Sequence, residues 1–272
     1  MKKIGLIILF TLREAFAKKV FIFFLAITAL VLIITVASYI VIDADSLREI
    51  AKQQGEKSFN EMLSILLLMI VAPLSALCLL LAIFASAGFI PSLLEKGTID
   101  LFLSKPITRS QLLWGKYFGG IAVVFLNIFL LVLGVWLIIA LKFSYWDFSF
   151  LLIILLITFT FAVLYSLIVL FSVITKSSVP GMMIAYFIFL ILSPLLALVN
   201  GKLGVLIEND FARATIKIIY YIVPNTSELM GNLLNDVAAG KGVTDFQPVI
   251  TSFLFLVLVM SLADYIFRKK DF

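Results

Sequence analysis

The chain has 272 residues, of which 63% are hydrophobic and only 14% charged, with a formal net charge of +5 and a mean hydropathy of +1.20. A soluble domain carries about 45–50% apolar and about 25% charged residues, so this composition excludes a soluble globular fold and makes lipid the solvent for much of the surface. Histidine is absent and the one cysteine, Cys78, lies in an apolar run, which removes the commonest zinc ligand, the usual general base and any disulfide framework.

Residues 1–19 place Ile4, Ile7, Ile8, Leu12, Ala15 and Phe16 at helical spacing, with Lys2, Lys3, Glu14 and Lys18 elsewhere on the wheel. This pattern predicts an amphipathic helix lying at the membrane interface. Uncharged runs follow at Val20–Ile42, Met62–Leu94, Tyr117–Leu141, Phe148–Thr175 and Ser177–Gly201, and a sixth at Phe246–Ala263 extends past Asp264 to Phe267. Each is long enough at about 1.5 Å per residue to cross a hydrocarbon layer of about 30 Å. The first run has no small-residue cleavage site and is expected to be a retained span. The outer loop Asp43–Glu61 is short and charged and is expected to be helical. Phe211–Val223 is too short and too charged to span, and Pro224 ends it, which predicts an interfacial or re-entrant helix. Asp264 either snorkels to headgroups or faces the bundle.

The expected fold is all-α and polytopic, one transmembrane domain over residues 1–272. Six transmembrane helices lie near 20–42, 62–90, 117–141, 148–175, 178–200 and 247–267, with a cytoplasmic loop at 91–116 and a helical outer segment at 201–246 between spans five and six. Six crossings put both termini on one side. That side holds thirteen Lys and Arg, against eight in the opposite loops. The positive-inside rule therefore places both ends in the cytoplasm, and the basic excess is a topology signal rather than a nucleic-acid footprint.

One cytoplasmic segment stands apart. Gly97 can break the preceding helix, Thr98 can cap a short one, and Asp100 would sit in its positive first turn. Ser104-Lys105-Pro106 then stops it. Its Ile99, Leu101, Phe102 and Leu103 are too apolar for a merely solvated turn: they either dip into the inner leaflet or meet a partner.

The run Glu95-Lys-Gly-Thr-Ile-Asp-Leu-Phe-Leu-Ser-Lys-Pro-Ile-Thr-Arg109, followed by Gly115-Lys116, resembles the signature of ABC-2 type transporter permeases. Leu12–Phe21 is similar to that family's amphipathic N-terminal helix. The six-span layout fits as well, and the likeness is greatest to the single-domain permeases of multicopper-enzyme maturation, the nitrous-oxide-reductase accessory permease among them. The resemblance implies a permease subunit, not itself an enzyme, that moves or exports a substrate across the cytoplasmic (inner) membrane. ATP and Mg would be held by a separate nucleotide-binding ATPase, and this chain would bind no cofactor or metal. It also implies a second permease copy as homodimer partner and an extracytoplasmic accessory protein. Glu95, Gly97, Thr98, Asp100, Pro106 and Arg109 carry over as the ATPase-coupling element. No G-x-x-x-x-G-K-[ST] motif occurs in the chain, in keeping with a separate motor.

Gly115-x-x-x-Gly119 with Gly120 matches a helix-packing motif, and Ala82, Ala85, Ser86 and Gly88 give the second span a small-residue face. Pro73, Pro180 and Pro194 kink or start spans. Cys78 and the scattered methionines lack the clustering of a copper path and read as packing. Spans nearly free of charge suit an apolar or amphiphilic substrate, or mechanical work on an outer partner, better than a small ion. The competing reading is a non-transporting membrane scaffold for an extracytoplasmic or cytoplasmic complex; an intramembrane enzyme is hard to build without histidine or paired carboxylates.

Overall fold

The computed structural model describes residues 2–17, 20–41, 56–94, 107–144, 146–200 and 210–270, and every regular element among them is helical. In chain order these are α1 (Lys2–Ala17), α2 (Val20–Val41), α3 (Glu56–Ser86), α4 (Arg109–Phe143), α5 (Leu152–Thr175), α6 (Val179–Asn200), α7 (Asp210–Ile222), α8 (226–238) and α9 (Gln247–Lys269). Tight 3-10 turns at Ala87–Phe89 and Pro91–Leu93 extend α3, and another at Phe148–Leu151 leads into α5.

Five helical stretches are long and apolar enough to cross a membrane: Val71–Leu93, α4, Phe148–Thr175, α6 and α9. The pair Ile4–Ala17 and Ile22–Ala37, whose axes differ by 71°, qualifies together as a sixth. The expected all-α, polytopic fold is therefore what is observed, with five to six candidate spans.

The bundle is built around α5. Its most apolar window is 83% buried within the protein, against 22% for α9 and 28% for α6. α5 is thus the hub, and the other two leave most of their surface to lipid. Being enclosed by protein, α5 offers its side-chain hydroxyls few partners other than its own backbone. Thr158, Thr160 and Ser166 donate to the carbonyls of Ile154, Leu156 and Val163, the back-bonding that makes hydroxyl residues tolerable in a buried helix.

Proline accounts for several local features of the helices. Pro194 has no N–H to donate to the carbonyl one turn earlier, and a π-turn at Ile188–Leu192 immediately precedes it in α6, as expected where a helix absorbs a missing bond. Pro180 and Pro248 sit in the first turns of α6 and α9, where that N–H would be unpaired anyway. Pro73 is carried inside α3. Pro224 follows α7, so the helix expected over Phe211–Val223 is present as Asp210–Ile222.

The third-span helix differs from its expected bounds. α4 begins at Arg109, two turns before the uncharged run at Tyr117, so the interval 91–116 is not all loop. The cause is local. The Thr108 hydroxyl accepts from the Gln111 N–H, and the Gln111 side chain accepts from the Thr108 N–H, both at 3.3 Å. This capping box satisfies two of the otherwise unpaired donors of the first turn.

Candidate functional site

Of the expected coupling residues, Glu95, Gly97, Thr98, Asp100 and Pro106 lie outside the described residues. What is described are the two shoulders of that segment, Pro91–Leu94 upstream and Ile107–Lys116 downstream, and three groups of contacts that hold them.

Packing of α1 along α4 makes the first. A Cβ added at Gly115 would lie 2.8 Å from Cβ of Ile7, and one at Gly119 would lie 2.6 Å from Cβ of Thr11. The same offset in both pairs means that the helices run side by side in the same direction. One turn further on, Ala15 buries with Val123 and Phe89. The glycines permit this approach because a β-branched residue opposite leaves no room for a side chain. The packed stripe of α1 is thus Ile7, Thr11 and Ala15, while Leu6, Leu9, Phe10 and Phe16 stay exposed. Thr11 avoids an unpaired hydroxyl by donating to the Ile7 carbonyl at 2.9 Å. Gly120, on another face of α4, lies under the Tyr165 ring, which stacks on Tyr117 with centroids 5.6 Å apart.

Charge makes the second group. Lys116 is almost fully buried, at 2% side-chain exposure, and its Nζ donates to Oε2 of Glu14 on α1. Nζ also lies 5.2 Å from the centre of the Phe10 ring, one helical turn before Glu14. The other carboxylate oxygen, Oε1, accepts from the Ser92 hydroxyl at 3.2 Å. Burying an ion pair costs several kcal/mol per ion unless further hydrogen bonds satisfy it. Here a hydroxyl and a ring face assist. Glu14 and Lys116 were not singled out as a pair from the sequence; the available signal was one carboxylate in an amphipathic helix whose other charges, Lys2, Lys3 and Arg13, are basic.

The third group involves Arg109. Its Nη1 donates to the carbonyl of Lys270 at 2.5 Å and to that of Arg268 at 3.3 Å. These carbonyls are at the exposed end of α9, where no intrahelical donor remains and a cation is favoured by the helix dipole. Arg268 in turn donates to Ser110 at 2.6 Å and to Asp264 at 2.6 Å. Asp264, left between headgroups and bundle by the sequence, is 8% exposed and paired within its own helix. Lys270 donates to the carbonyls of Val173 and Ile174 at 2.7 and 2.8 Å, closing the end of α5. Partial burial, and the charge of Lys176 nearby, push the Lys270 ammonium below its ordinary lysine value. The start of α4 and the ends of α5 and α9 are therefore stitched together at one end of the bundle.

The opposite end is acidic. Asp147, after α4, lies beside Gly240, and a cleft of about 500 Å³ there is lined in part by Glu228, Asn232, Asp236, Thr244 and Asp245. Tyr220 of α7 donates to Glu228, and burial together with that carboxylate raises the phenol well above its ordinary value. Among the described residues no group of three or more His, Cys, Asp or Glu side chains converges as a metal site would require.

None of the individually curated proteins matches the chain. The sequence model of the family described as ABC-2 family transporter protein matches residues 8–272, nearly the whole chain. Taken with its helical, multi-pass architecture, that match identifies the chain as a member of the ABC-2 transporter family, a membrane permease component of an ABC transporter.

Proposed function

We propose that this chain is the permease half of a transporter whose ATP is hydrolysed by a separate subunit docked on the segment between α3 and α4. The observation that carries this reading is the construction of that segment's shoulders. Each is held by side chains from a different part of the chain, Glu14 upstream and downstream, and Arg109 with the end of α9 downstream. A segment anchored in this way can pass a push to several helices at once, whereas a merely solvated loop would not need such supports.

In this proposal the permease works as a homodimer in the cytoplasmic membrane with both termini inside, and Glu95, Gly97, Thr98, Asp100, Pro106 and Arg109 form the docking and coupling element. ATP and Mg belong to the partner, and the chain itself is not catalytic. The substrate is apolar or amphiphilic, or the work is mechanical and directed at an outer accessory protein. The test is gentle detergent extraction from native membranes followed by purification on this chain. A stoichiometric nucleotide-binding subunit, lost on Glu95→Ala or Gly97→Trp, is the expected result. Recovery of the permease without any ATPase would favour the membrane scaffold instead.

A further inference from the structure

We infer that Glu14 is a positioning residue that links movement of the segment between α3 and α4 to the N-terminal helix, holding α1 firmly to α4 and reversibly to the upstream shoulder. The inference rests on the proposed docking of an ATPase at that segment.

Three observations carry it. First, the two oxygens of one carboxylate are divided between the two shoulders, Oε1 to Ser92 upstream and Oε2 to Lys116 downstream. Second, the surrounding packing repeats that division, since α1 meets Phe89 on one side and Gly115, Gly119 and Val123 on the other. Third, the two links are unequal. The Lys116 link is a charge-assisted bond to a buried ammonium, and separating it would strand a charge in an apolar setting. The Ser92 link is a single hydroxyl donor at 3.2 Å, long for an O–H···O bond, whose one proton is shared with the Phe89 carbonyl, also at 3.2 Å, on a partly buried residue.

When the shoulders are pulled apart, the weaker link gives way first. α1 then travels with α4, and Pro91–Leu94 comes free of it. Release of the upstream shoulder leaves α1 bound to α4, and movement of α4 passes through α1 to α2, which follows in the chain. Lys116 lies in the part of the chain that resembles the family signature, and Glu14 is its carboxylate partner on α1.

The test is amide hydrogen exchange on the intact complex of permease and co-purified ATPase, with and without ATP and vanadate. In the wild type, trapping should raise exchange in residues 2–17 and 89–94 and alter it in 95–106. Ser92→Ala, which removes the weaker link together with the local bond to the Phe89 carbonyl and leaves the Lys116 pair in place, should reduce the response of residues 2–17 by about fivefold, the factor that one net hydrogen bond contributes to an equilibrium. It should leave the response of 95–106 intact. Glu14→Gln, which takes the charge from the Lys116 link, should loosen α1 from α4 and raise exchange in residues 2–17 even without nucleotide, and the exchange Glu14→Lys with Lys116→Glu should lower that baseline by restoring the pair. Unchanged exchange in α5 certifies that each variant is folded. If residues 2–17 respond equally in wild type and in Ser92→Ala, the inference is overturned while the docking segment stands. If residues 95–106 ignore nucleotide in the wild type, the docking proposal itself fails and the inference with it.

Discussion

Glu14 and Lys116 meet as a buried ion pair across 102 residues of sequence, joining the N-terminal helix to the start of α4. The pair is possible only because Gly115 and Gly119 let α1 approach closely enough for Glu14 to reach the lysine. Packing and charge at this junction are therefore interdependent, and they can be separated by substitution.

Breaking the pair one partner at a time should be costly. Lys116→Met leaves a carboxylate without its cation, and Glu14→Leu leaves a buried ammonium; each should lower stability by about 3–5 kcal/mol. Replacing both together, Glu14→Leu with Lys116→Met, should recover most of that loss, because two apolar groups need no compensation. Thermal unfolding of the three variants in one detergent checks the ranking. A double variant no more stable than either single would contradict a paired, desolvated arrangement.

The glycines should rank by what faces them. Gly119→Ala meets the rigid Cβ of Thr11 at 2.6 Å, whereas Gly134→Ala meets Cδ2 of Leu32, the far end of a flexible side chain, at 2.6 Å. Overpacking of this kind costs about 1–3 kcal/mol, and Gly119→Ala belongs at the upper end. Gly5 has nothing within 4 Å of its added Cβ, so Gly5→Ala should stabilise α1 by about 0.5–1 kcal/mol. Midpoint shifts of the three variants test the order.

Arg109→Ala should loosen the end of α9 without unfolding the bundle. The guanidinium holds the carbonyls of Arg268 and Lys270, and hydrogen bonds from a charged donor contribute about 1.5–3 kcal/mol each. Protease susceptibility after Arg268 should rise, and amide exchange in residues 264–270 should quicken. Arg109→Lys, with one point donor in place of a fork, should fall between.

Tyr220 should resist ionisation. Its buried hydroxyl donates to Glu228, which favours the neutral phenol. A folded pKa raised above the unfolded value of about 10 means that this contribution to stability is complete below about pH 10 and is lost as pH climbs beyond it. In a spectrophotometric titration of the native protein, Tyr220→Phe should leave the ordinary tyrosinate signal near pH 10 undiminished. A loss of amplitude there would show that Tyr220 titrates normally.

The division between what was legible in the chain and what was not follows from the range of the interactions. Long uncharged runs require helices in lipid because no other open structure satisfies the backbone there, so the all-helical, multi-pass class could be read from composition alone. Pro224 marked the end of α7 by the same local logic. The start of α4 was legible too: Thr108 and Gln111 have capping-box spacing ahead of an apolar run, a signal overshadowed by the neighbouring Pro106 and Gly115-Lys116. Wheel geometry put Ile7 on the apolar side of α1 but could not say what that side would meet. That Gly115 and Gly119 receive Ile7 and Thr11, that Lys116 finds Glu14, and that Arg109 closes the end of α9 are long-range pairings, set by which helices lie side by side. The sequence by itself determined a multi-pass helical membrane protein with a basic, interrupted segment between the helices that became α3 and α4. Only the tertiary structure decided what holds that segment's shoulders, because a buried charge takes its partner from whichever helix the packing brings within reach.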